Sequence, residues 1–242
     1  MIGCLCIHGF TGSPYEVAPL VDYLQEKTDW HVVAPTLPGH GEELQLKGVS
    51  HQLWIEHAEK ELKKLIKTCE EIYIIGFSMG GLIASLLVTK YQIDKLVLLS
   101  AAAYYVNPRQ LLLDIKNMIR DSFKGNLRSN ELFQRYKRKI VDTPLRATVE
   151  FRKIVSLARR SLQYIRIPTF IAQGENDGIV PVKSAKYLYN NIGTDKKVLY
   201  MEPEAKHHIC YANNRNVLFK KILAFLQSEE KKNDDQCVEI HT

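Results

Sequence analysis

Long apolar runs are missing from this chain of 242 residues. No segment approaches the roughly 18 consecutive apolar residues that a bilayer-spanning helix needs. The opening "MIGCLCIHGF" also lacks the basic leader and cleavage site of a secretory signal. These two lacks predict a cytoplasmic protein with no stable membrane insertion. Cysteine is scarce and odd in number, at five, and Cys4 and Cys6 stand two apart in a short apolar run, too close for an easy disulfide. They read as reduced core residues. No second Cys/His pair stands at ligand spacing from them, so no metal is expected. Acidic residues are thin in one region. From Tyr104 to Arg166 there are fifteen Lys and Arg against five Asp and Glu, in a chain whose overall balance is 33 to 27. That stretch reads chiefly as solvated helix faces. Weak contact with anionic lipid is the one partnership it leaves open, and no nucleic-acid partner is expected.

With 45% hydrophobic and 25% charged residues the composition is that of a globular protein, and the length suits one core with an elaboration. The runs "IGCLCI", "HVVAP", "EIYIIGF", "KLVLLSAA", "PTFIAQ" and "KKVLYM" read as strands buried on both faces. Between them lie helical patterns: "PYEVAPLVDYLQEK", "SHQLWIEHAEKELKKLIKTC" with Ser50 as N-cap and a stripe from Leu53 through Trp54, Ala58, Leu62, Leu65 and Ile66 to Cys69, then "GLIASLLVTKY" and "KSAKYLYNNI". A last helix runs through Leu218, Ile222, Phe225 and Leu226. Such alternation predicts an α/β fold whose parallel sheet is flanked by helices. It is interrupted after Tyr105 by about 60 residues with amphipathic helical patterns and no convincing strand; Asn107-Pro108 and Thr143-Pro144 look like helix starts. The predicted organisation is a core of residues 1–103 and 167–228, a helical insertion at 104–166, and a polar tail at 229–242.

In "IIGFSMGG", Ser78 stands between a strand and a helix in a Gly-x-Ser-x-Gly pattern. A nucleophilic serine must project above the sheet edge through a sharp, strained turn, and glycines at Gly76, Gly80 and Gly81 relieve the crowding there. Serine is a poor nucleophile unless a histidine takes its proton and a carboxylate orients that histidine. Two later strand ends supply candidates: Glu175 and Asp177 in "GENDGIVP", and His207 and His208 in "EAKHHI". All of these segments fall at the carboxyl ends of strands, where parallel sheets gather their catalytic groups.

"CIHGFTGSP", "APTLPGHGE", "IIGFSMGGLIA", "GENDGIVP" and "HHICYANN", in this order and spacing, resemble the α/β-hydrolase superfamily, and within it the small bacterial carboxylesterases and monoacylglycerol lipases. The resemblance spans nearly the whole chain. It implies an α/β-hydrolase fold with a mostly or wholly parallel sheet of about six strands and a helical cap at the insertion. It also implies Ser78 as nucleophile, Asp177 rather than Glu175 as acid, and His207 rather than His208 as base. The oxyanion donors it implies are the backbone N–H groups of Phe10 and Met79, with His8 shaping the loop. Lys206 stands where the family often has glycine, and the HGGG signature of another esterase branch is absent. The expected activity is hydrolysis of short or medium acyl esters or monoacylglycerol through an acyl-enzyme, with no cofactor. Thioester or C–C hydrolysis and acyl transfer use the same triad and stand as alternatives. A non-catalytic binding protein on this scaffold is a more distant one.

Overall fold

Six of the apolar runs pair into one sheet in the computed structural model, which describes residues 1–104 and 145–228. The strands are β1 (Ile2–Ile7), β2 (His31–Val33), β3 (Glu71–Phe77), β4 (Lys95–Leu99), β5 (Thr169–Gly174) and β6 (Lys197–Glu202). Every neighbouring pair is parallel and the order is β2-β1-β3-β4-β5-β6. Side chains alternate across such a sheet, so each strand feeds two cores. Leu5, Ile74, Leu98 and Ile171 join one, while Cys6, Ile75, Val97 and Ala172 join the other.

Helices α1 (Ala18–Lys27) and α6 (Arg215–Gln227) cover the second core through Leu20, Leu24, Leu218, Ile222 and Leu226. The first is covered by α2 (His51–Thr68), α3 (Met79–Leu87), α4 (Leu145–Ser161) and α5 (Lys183–Asn191). Ser50 caps α2, its Oγ accepting the Leu53 N–H at 3.4 Å. The stripe on α2 is narrower than expected. His51, Trp54, Ala58, Leu62 and Leu65 are buried, whereas Leu53 is 45% and Ile66 38% exposed. A residue turns about 100° from its neighbour on a helix, which carries Leu53 off the face that Trp54 buries. The expected helix at 14–27 is a 3₁₀ turn, Pro14–Glu16, followed by α1.

Lys95, at the start of β4, is buried beneath the end of α6. Its ammonium donates to the carbonyls of Phe225 at 3.2 Å and Leu226 at 2.9 Å, and to that of Ser228. A cation there satisfies carbonyls that have no helical partner and complements the negative end of the helix. The helix starts expected at Asn107-Pro108 and Thr143-Pro144, the first two insertion helices and the 229–242 tail lie outside the described residues.

The chain departs to β2 on one side of β1 and returns to β3 on the other. The crevice at such a reversal opens at the carboxyl ends of β1 and β3, where the loop at His8–Ser13 and the turn at Ser78 meet.

Candidate active site

Ser78 joins β3 directly to α3 with φ +51° and ψ −114°, a left-handed conformation that a non-glycine residue rarely adopts. The turn is possible because its neighbours lack side chains. A Cβ on Gly76 would come 2.4 Å from the Gly80 carbonyl oxygen, and one on Gly80 would come 2.1 Å from the Ile7 carbonyl oxygen. The glycine at 80 therefore does more than tighten the turn: it lets α3 start against the end of β1.

Ser78 Oγ lies 3.1 Å from His207 Nε2, and His207 Nδ1 lies 2.8 Å from Asp177 Oδ2. All three groups are largely shielded from water. The other Asp177 oxygen accepts the N–H groups of Ile179 and Val180, each at 2.8 Å. Burial alone would raise the Asp177 pKa, but the adjacent imidazole and these hydrogen bonds outweigh it and hold the carboxyl below its ordinary range. With Nδ1–H committed to the carboxylate, Nε2 is left to accept the serine proton. The loops carrying acid and imidazole are tied together, since Glu175 N–H donates to the Glu202 carbonyl and Asn176 N–H to the Ala205 carbonyl. Glu175 itself is exposed, and the carboxylate at His207 Nδ1 is that of Asp177. His208 turns to Glu16, its Nε2 3.4 Å from Oε1.

Phe10 and Ser78 line one cavity with Phe151, Ile179, Val180 and His207. The Gly9–Phe10 peptide is held by its carbonyl, which accepts the His8 Nδ1–H at 2.9 Å and the Gly12 N–H at 3.2 Å. His8 Nε2 accepts the Leu37 N–H at 3.0 Å, which places the ring proton on Nδ1. A trans peptide aims its N–H opposite its carbonyl, so this anchoring sets the direction of the Phe10 N–H. Met79 opens α3, and its N–H is among those at a helix start that have no intrahelical acceptor.

The family described as serine aminopeptidase, S33 matches residues 3–214. The chain belongs to this hydrolase family. Its curated relatives include a carboxylesterase of Bacillus subtilis (strain 168), 26% identical over 227 residues that cover 92% of this chain and 91% of the relative. A thermostable monoacylglycerol lipase of Bacillus sp. (strain H-257) is 23% identical over 228 residues, covering 93% and 90%. Among solved structures, one reported for LipS and LipT, two metagenome-derived lipolytic enzymes, superposes with a TM-score of 0.76 at 22% identity and 94% coverage of both chains. An esterase from Exiguobacterium antarcticum gives 0.74 at 19% identity, covering 94% and 92%. These two structures speak to the fold, which is the α/β-hydrolase fold.

Several residues of this site had no signal in the family motifs. Glu16 is buried and accepts the Gly9 N–H at 2.8 Å; a side chain at Gly12 would collide with its carboxylate. Phe151, on α4, stacks on Phe10 with ring centroids 5.2 Å apart and planes 9° from parallel. One residue earlier, Glu150 receives both the His51 N–H at 3.0 Å and the His51 ring Nδ1 at 2.5 Å, pinning α4 to the start of α2. Burial opposes ionisation of Glu150, yet Lys153 and the two His51 bonds lower its pKa to about 2.

Proposed function

We propose that this protein is a serine carboxylic-ester hydrolase that works through an acyl-enzyme, with Ser78 as nucleophile, His207 as base and Asp177 as orienting acid. The observation that carries the reading is the unbroken line from Ser78 Oγ through His207 to Asp177, at 3.1 and 2.8 Å, with the serine on a strained elbow. Ser78 Oγ attacks the ester carbonyl while its proton passes to His207 Nε2. The Phe10 and Met79 N–H groups hold the oxyanion that forms. As the intermediate collapses, the bond to the alkoxy oxygen breaks and His207 returns the proton to the departing alcohol. Water then attacks the acyl-enzyme by the same route and releases the acid.

Carboxylesterase and monoacylglycerol lipase relatives that align over nine-tenths of the chain support an ester as substrate. The apolar lining from Phe10, Phe151, Ile179 and Val180 suits the hydrocarbon of a short or medium acyl chain or a monoacylglycerol. We take the cap over this cavity to lie within residues 104–166; the described helix of that range, α4, packs on α2 and α3 as part of the core, and its Phe151 reaches the cavity wall. Among the described residues no helix is long and apolar enough to cross a membrane. The buried free thiols of Cys4, Cys6, Cys69 and Cys210 suit the reducing cytoplasm in which we place the protein.

A fluorophosphonate probe tests the reading. It should add once per chain, and peptide mapping should find the adduct on Ser78. Ser78→Ala should abolish labelling and lower ester turnover by roughly 10⁴ or more with the fold intact. An adduct mapped to any other residue removes the proposal.

A further inference from the structure

Gln173, the penultimate residue of β5, is fully buried although its side chain is a primary amide. Its Nε2 faces three acceptors: Asp177 Oδ2 at 2.8 Å, the Val180 carbonyl at 3.2 Å and the Gly174 carbonyl at 3.3 Å. Such surroundings leave a single orientation for the amide, because the flipped group would point a carbonyl oxygen at a carboxylate. Among the described residues its Oε1 meets no donor. The neighbouring strand shows the same thing. Ser100 follows β4, sits beside β5 through its N–H bond to the Ala172 carbonyl at 2.8 Å, and adopts φ +46°. It is fully buried, and its Oγ has no partner among the described residues. A buried polar atom left unmatched is costly, and an apolar side chain of similar volume avoids that cost. Gln173 is thus poorly explained as core filling.

We propose that Gln173 is a positioning residue for the orienting acid, an inference that rests on the triad described above. The carboxylate is gripped at both ends. Its Oδ1 is fixed by the Ile179 and Val180 N–H groups, and its Oδ2 receives Gln173 Nε2 together with His207 Nδ1. Gln173 therefore holds the carboxylate in line with the imidazole and shares the charge that the imidazole feels. Without that donor, His207 is the one partner left to Oδ2 among the described residues, and both the angle of the carboxylate and its field at the ring change.

The test uses Gln173→Leu, which keeps similar bulk without a donor, and Gln173→Glu, which donates only while protonated. Gln173→Leu should lower kcat about tenfold or more with KM nearly unchanged, and should shift the acid limb of the kcat/KM pH profile, while Tm moves only a few degrees. A folded Gln173→Leu protein with wild-type kcat and a wild-type acid limb overturns the inference. Gln173→Glu places a buried carboxyl against Asp177, which favours its protonated form. Its activity relative to wild type should be greatest at low pH and fall as pH rises and the donor is lost. A ratio that is flat or rising with pH also overturns it. Probe labelling of the wild type separates the two readings: with Ser78 labelled, a null result at Gln173 leaves the hydrolase standing, whereas labelling elsewhere sinks the triad itself.

Discussion

Asp177 accepts bonds from Ile179, Val180, Gln173 and His207, and each of them is made to a carboxylate rather than to an amide. In Asp177→Asn one end of the group becomes a donor. Facing His207, it would favour the wrong ring tautomer, so turnover should fall on the order of 10⁴-fold. Glu175 stands two residues away but is exposed, and Glu175→Gln should change turnover little. Steady-state kinetics on one ester decide the assignment, and the reverse ranking would move the acid to Glu175. The motif reading favours Asp177 over Glu175 because the stretch "DGIVP" records a local geometry: the amides just after Asp177 fold back onto its own side chain. Gln173 left no such trace. A glutamine at the end of an apolar strand acquires its part only from Asp177, Gly174 and Val180 gathered around it.

Helix α4 shows what an element adds to these residues. Its apolar side, with Ala147, Phe151, Ile154 and Ala158, packs into the core, and the His51–Glu150 contact fixes it to α2. Glu150 has its pKa lowered to about 2, from an ordinary value of 4.5. A depressed carboxylate stabilises the fold above its unfolded pKa, and that contribution is lost as pH falls through the folded one. The Tm difference between wild type and Glu150→Gln should therefore be full near neutrality, shrink below about pH 4.5 and close near pH 2. Thermal melts across that window check it, and a difference that is constant with pH would mean that the charge contributes nothing. In the sequence, α4 was visible as an amphipathic pattern and the strands as continuous apolar runs, because periodicity reports which faces are buried. Periodicity does not report which face meets which. The contact between residues 51 and 150 joins segments 99 positions apart, and the next residue, Phe151, stacks on Phe10, 141 positions before it in the chain. The exposure of Leu53 and Ile66 has the same origin, since an apolar residue off the contact face has no surface to cover it.

Across the whole molecule the net charge is +6, and the Lys/Arg excess lies in residues 104–166. In the described part of that region Arg146, Arg152, Lys153 and Arg160 are exposed, while Phe151 and Ile154 point inward. With these four cations in solvent, the protein should handle a neutral p-nitrophenyl ester with a kcat/KM that changes less than about twofold between low and high salt, because surface charges are screened within about 8 Å at physiological ionic strength. Sedimentation with anionic vesicles should weaken over the same salt range if the basic face touches lipid. A steep salt dependence with the neutral ester would place cations at the reacting carbonyl. Sequence distance also separates the parts that must close the molecule. Ser78 and His207 are 129 positions apart, and Lys95 reaches carbonyls more than 130 positions downstream of it. A ribosome delivers the chain from its amino end, so the serine elbow, β1 and β3 leave the tunnel long before the imidazole does. Throughout that interval Lys95 has yet to receive the helix end that shelters its charge. On the proposed mechanism the nascent chain therefore carries Ser78 before His207 exists to take its proton, and hydrolytic competence waits for the segment from His207 to α6 to emerge.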